Sequence, residues 1–132
     1  MIAEYRTRIR TLLISMSEFD AIEDDIGREA DKTIEQIFKR FPACLISFVG
    51  NSYETDTDSQ DYFCKSYFDL GVVTKNLSKQ NAGIAEVERI SEAIIKKFED
   101  ERDVKFESIE PVMVAPITIY VVRFYFRSRG YI

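Results

Sequence analysis

The residues of this chain best suited to chemistry are the carboxylates Glu54, Asp56, Asp58 and Asp61, spaced through the run Glu54-Thr55-Asp56-Thr57-Asp58-Ser59-Gln60-Asp61. Alternating carboxylates and hydroxyls are rich in oxygen, the ligand that hard cations such as calcium and magnesium prefer. A calcium loop of the helix–loop–helix type needs glycine at its sixth position and glutamate at its twelfth. Counted from Asp56, those positions hold Asp61 and Tyr67, so the match fails. A magnesium-dependent nuclease built on Asp56, Asp58 or Asp61 is the enzymatic alternative, but no lysine or histidine accompanies them within the run. Glu107 and Glu110 form a second carboxylate pair on which nothing else converges. The chain has no histidine, which removes the commonest general base and metal ligand. Cys44 and Cys64 fall in separate apolar strand patterns and do not make a zinc site. There is no phosphate loop and no dinucleotide glycine pattern. The residues therefore predict no catalytic set, no metal and no cofactor, and the protein is not expected to be an enzyme.

What remains for the acidic run is charge. The chain carries −5 in total and residues 51–61 carry −4 with no base, leaving −1 for the rest. A segment so charged, with only Tyr53 as a large apolar group, is expected to form a solvated hairpin tip, mobile in the free subunit. Tyr53, Glu54, Asp56, Asp58 and Asp61 are accordingly the candidate partner interface, with Tyr53 as the anchoring aromatic. The bland alternative is a solvated loop without a role. No basic stripe appears, so sequence-specific nucleic-acid binding is not expected. No apolar run approaches the about 20 residues a membrane helix requires. No charged-then-apolar leader opens the chain, so export by a signal peptide is not expected. Two cysteines are too few for a disulfide framework, and both are expected as buried free thiols.

The elements that must position this run follow from periodicity. Residues 1–132 are expected to form one domain, with enough chain for one core. Ile2, Tyr5, Ile9, Leu12, Leu13 and Met16 have helical spacing, predicting a helix over 2–15. Residues 17–25 read as a connector with a short extended piece at 19–22. Asp24 and Asp25 offer an N-cap for a second helix, whose stripe is Ile26, Ala30, Ile34, Ile37, Phe38 and Phe41 and which Pro42 stops. Residues 43–49 read as a strand ended by Gly50 and Asn51, and residues 62–74 as its antiparallel partner across a long tip. In that partner Tyr62, Cys64, Phe68, Leu70 and Val72 share one face, with Lys65 and Asp69 on the other. A polar loop over 75–83 precedes a helix over 84–100, marked by Ile84, Val87, Ile90, Ile94, Ile95 and Phe98. Residues 104–114 form a strand in which Pro111 implies a break or an edge position. The closing strand, 117–126, puts Tyr120, Val122, Phe124 and Phe126 on one face and Ile117, Ile119, Val121 and Arg123 on the other. Being apolar on both faces over half its length, it is expected to be covered on both. The predicted fold is α+β: a mainly antiparallel sheet of about four strands with helices packed on it, in the order helix-helix-strand-strand-helix-strand-strand.

This layout resembles the tail-terminator, or tail-completion, proteins of Mu-like contractile-tailed phages and related phage-tail-like particles. The resemblance is carried by the first helix with Ile9 and Leu12-Leu13, and by Phe41-Pro42-Ala43 leading into Leu45-Ile46-Ser47-Phe48-Val49-Gly50. It continues through Tyr67-Phe68-Asp69-Leu70-Gly71-Val72-Val73-Thr74, the helix start at Gly83-Ile84 and the final strand Ile119-Tyr120-Val121-Val122-Arg123-Phe124. The acidic loop is longer than in that family, and residues 75–82 have no clear counterpart. The resemblance implies a structural protein, a homo-oligomer and most simply a hexamer, seated as a ring on the last ring of a tail tube. Such a ring stops tube and sheath growth and offers a surface to a head–tail connector, or caps the tube in a headless particle. The implied partners are further copies, tube protein, sheath protein and the connector; the implied location is the virion or tail-like particle, assembled in the host cytoplasm. Six tips would bring −24 onto one circle. They would either dock on basic residues of the adjoining tube ring or face the channel. The competing reading is a small non-enzymatic adaptor or assembly factor acting as a monomer or dimer.

Overall fold

A computed structural model describes residues 1–24, 40–55, 61–74, 80–114 and 117–131. The elements are α1 (Ile2–Ser15), β1 (Ala21–Asp24), β2 (Ala43–Thr55), β3 (Asp61–Val73), α2 (Gln80–Phe98), β4 (Val104–Val114) and β5 (Ile117–Tyr131). The strands form one sheet in the order β1-β2-β3-β5-β4. β1 runs parallel to β2, and the other three pairings are antiparallel.

The α+β class holds, but the sheet is mixed and five-stranded where a mainly antiparallel one of about four strands was expected. The additional strand is β1, within the stretch read as a connector. Four residues with no alternation give no strand signal of their own, and Ala21–Asp24 is extended because β2 pairs with it, Ala21 opposite Ala43 through Asp24 opposite Ile46. The strands are also longer than expected. Gly50 does not end β2: the register slips between Phe48 and Gly50, and Gly50 at φ +151° carries this bulge at a backbone angle suited to glycine. Residues 51–55 are thus laddered to β3, not part of a mobile tip. β5 likewise continues through Arg127 and Arg129 to Tyr131, since β3 is there to pair with it. α2 begins at Gln80, inside the stretch read as loop. The second helix expected over 24–41 lies, over 25–39, outside the described residues.

Side-chain alternation sorts the sheet into two faces. Cys44, Ile46, Phe68, Leu70, Val72, Val122, Phe124 and Phe126 form one core with Tyr5, Ile9 and Leu13 of α1 and Val87, Ile90, Ile94 and Phe98 of α2. Both described helices therefore lie on this face. α1 ends at Ser17, whose φ of +57° turns the chain after the Ser17 N–H bonds the Ile14 carbonyl. Lys96 and Lys97 occupy the last turn of α2, complementing its dipole. Pro111 sits in β4 at the sheet edge, where its missing donor costs no ladder bond. Cys44 and Cys64 are free and buried, and burial pushes the Cys44 thiol far up.

Ion pairs at the rim tie α1 to the sheet. Arg6 and Arg10 both reach Asp24 of β1, at 3.3 and 2.6 Å. Arg8 grips Asp103 through two donors, at 2.7 and 2.9 Å. That pairing holds the Asp103 carboxyl below its ordinary range. A depressed carboxylate contributes stability above its unfolded pKa, near 3.8, and loses it as pH falls through the folded value. Both side chains are more than a third exposed, so the contribution is about 1 kcal/mol or less. Arg8→Met should therefore lower stability at pH 7 and shrink the acid-induced loss below about pH 4, as read by urea melts across pH. An unchanged acid limb would contradict the pairing.

Candidate interface surface

β1 pairs with β2 only as far as Ile46, and β4 pairs with β5 only up to Phe126. Beyond those points β2, β3 and β5 continue together as a three-stranded arm made of residues 51–55, 61–66 and 127–131. No fourth strand flanks this arm among the described residues. It is the place in the fold to which the acidic run belongs.

The candidate residues do not converge there. Tyr53 stands opposite Cys64 and Glu54 opposite Phe63, so they point to opposite faces of the arm. Tyr53 is 62% exposed, with its ring 6.2 Å from that of Tyr62. Glu54 meets Lys65 across the strands, oxygen to nitrogen 2.7 Å. The Lys65 hydrogen bond holds the Glu54 carboxyl below its usual range, with Arg127 adding to the field, and Glu54 in turn raises Lys65. Asp61 opens β3 opposite Tyr131. Asp56 and Asp58 lie outside the described residues. The reading of an acidic run with no base therefore needs correction at Glu54. The base comes from eleven positions further along, and only the β2–β3 register brings it near.

The Glu54 face of the arm carries a surface that the sequence reading did not single out. Phe63, Lys65, Tyr67, Tyr125, Arg127 and Arg129 share it. The Arg127 guanidinium lies 4.1 Å from the centre of the Phe63 ring, and Lys65 Nζ 5.2 Å from that of Tyr125. Tyr67 and Tyr125 face each other at 5.2 Å. Arg123 donates from Nε and Nη2 to the two Asp69 oxygens at 2.8 and 2.9 Å, which raises its own pKa. The period-two alternation of basic and aromatic residues in Tyr125-Phe126-Arg127-Ser128-Arg129 was the available signal, hidden by taking Arg127 as the end of the strand.

Toward the other end of the same face the character changes. Leu45, Gly71, Val73, Ile119 and Val121 line an apolar depression of about 140 Å³, with Ser47 and Asp69 at its rim. Ala43, Val73 and Ile119 are buried here, apart from the main core.

Among the described residues no three histidine, cysteine or acidic side chains gather where they could hold a metal ion. Nor is any described helix long and apolar enough to cross a membrane. What the arm offers is a flat face of paired ions and aromatic rings with two strand edges. An edge strand presents backbone donors and acceptors to a further strand, and aromatic and arginine side chains are favoured at protein contacts. No protein-family model matches the chain, and no curated protein matches it.

Proposed function

We propose that this chain is a non-enzymatic tail-terminator subunit, which caps the tail tube of a contractile phage or phage-like particle as a ring of copies. The observation that carries the reading is the three-stranded arm: it projects past β1 and β4 with open outer edges and an aromatic and basic face. The layout of the sequence supports the same reading, through the helix–strand succession and the closing strand Ile119-Tyr120-Val121-Val122-Arg123-Phe124. Contact between copies through the arms would bury more than about 1,000 Å² if the ring is stable in isolation. On the tube side, Asp56, Asp58 and Asp61 meet basic residues of the adjoining tube ring, with Tyr53 as the anchor. Glu54 contributes less, because Lys65 already holds it.

Charge neutralisation tests the docking. Replacing Glu54 by Gln and Asp56, Asp58 and Asp61 by Asn should weaken binding to purified tubes severalfold at low salt. It should also flatten the salt dependence of binding, because exposed charge pairs are screened over about 10 Å at 0.1 M salt. Unchanged affinity with an unchanged salt slope removes the docking role. DNA ejection from intact particles then tests the alternative, in which the carboxylates line the channel.

A further inference from the structure

The apolar depression lies on the sheet face that neither α1 nor α2 covers, and the topology identifies its occupant. Two connections in this fold join strands that run in the same direction. One joins β1 to β2, which are parallel neighbours. The other joins β3 to β4, which run the same way because both are antiparallel to the β5 between them. Both connections step across the sheet toward its β4 edge. The two strand pairs point in opposite directions, since β2 and β3 are antiparallel.

Crossovers between parallel strands of one sheet are right-handed in about 98% of cases. Two right-handed crossovers that advance the same way between oppositely directed strand pairs must pass over opposite faces. α2 makes the β3–β4 crossover on the face of Phe68 and Phe124, where Phe98 packs edge-on against Phe124 at 5.3 Å. The β1–β2 crossover must then pass over the other face, the one that holds Leu45, Gly71 and Val121. We propose that residues 25–39 cover the depression on that face as an amphipathic helix, and that the apolar half of the face is closed within the subunit.

Four further observations agree. β1 stops at Asp24 and β2 starts at Ala43, leaving eighteen residues, more than the about dozen that a parallel crossover with a helix requires. The sequence places Ile26, Ala30, Ile34 and Ile37 at helical spacing, a stripe suited to an apolar floor. At the far end of the segment, Phe41 already packs against Ala43, Val73 and Ile119. At its near end, Ala21 of β1 packs against the same cluster. The chain leaves and returns on the same face. This inference does not depend on the ring: it assigns only the apolar half of the face and leaves the arm to other partners.

Methyl-labelled wild-type protein gives the direct test. Cross-relaxation is expected between methyl groups of Ile34 or Ile37 and those of Leu45, Val121 or Ile119, unchanged on tenfold dilution. A paired-cysteine experiment should agree. Leu45→Cys combined with Ile34→Cys or Ile37→Cys should, on oxidation with copper–phenanthroline, give a disulfide within one chain, mapped by mass spectrometry of the digest. Contacts or disulfides found only between chains, and lost on dilution, would give this face to a second copy and overturn the proposal. Absence of any contact from residues 25–39 to the depression in the folded wild-type protein would also overturn it.

Discussion

Phe124→Ala should destabilise this protein by about 3–5 kcal/mol, which is a large share of the total stability of a domain this size. Phe124 is fully buried at the centre of β5. Its ring meets Phe98 of α2 at 5.3 Å and Phe126 at 5.6 Å, both edge-on, with Phe106 at 5.8 Å and Phe68 at 6.2 Å. Removing it leaves a cavity among four aromatic neighbours held by three strands and a helix, none free to collapse into the space. The urea midpoint should fall with little change in slope, and the melting temperature should drop by roughly 10–20 °C. A midpoint equal to that of the wild type would take Phe124 out of the core and break the β5 register.

Tyr5→Ala should cost about 3 kcal/mol or more, and the loss should be concentrated in α1. Tyr5 lies flat on Phe126, ring centres 4.1 Å apart with an interplanar angle of 1°, and edge-on to Phe68 at 6.4 Å. α1 has only fourteen residues, too few to persist as a helix in water without packing. Its hold on the sheet is the Tyr5, Ile9 and Leu13 stripe plus the arginine pairs to Asp24 and Asp103. Amide hydrogen exchange should therefore speed up across residues 5–15 before it does in α2. Equal protection of both helices in the variant would contradict this division.

The core was legible because alternation and helical spacing are local. The split of β5 into Val122, Phe124 and Phe126 on one face and Ile119 and Val121 on the other follows from a period of two, and the same reading placed Phe68, Leu70 and Val72 correctly. The parts that were not legible depend on partners distant in the chain. Ala21–Asp24 is a strand because β2 lies beside it, and nothing in Ala-Ile-Glu-Asp says so. Gly50 looked like a strand end because a glycine at a bulge and one at a turn read alike in sequence. Glu54 looked uncompensated because a charge count along the chain does not see Lys65 across the ladder. The same limit kept Tyr53 and Glu54 together as one site, although adjacent residues of a strand face opposite ways. It also concealed the arm face of Phe63, Tyr67, Tyr125 and Arg127, which exists only once β3 and β5 are paired past Phe126.

Ring formation at the tube end is the claim on which the functional reading stands, and imaging of assembled particles tests it most directly. Purified tubes should be incubated with the protein and imaged by electron cryomicroscopy, with the native mass measured in parallel against 15.4 kDa per chain. The account predicts a ring of copies, six in the simplest case, seated at one end of each tube, with the arms in contact between neighbours. Tubes assembled in its presence should have a fixed end and a narrow length distribution. A single copy per tube, a ring found away from the tube end, or a stable monomer or dimer that leaves tube growth unchanged would contradict it.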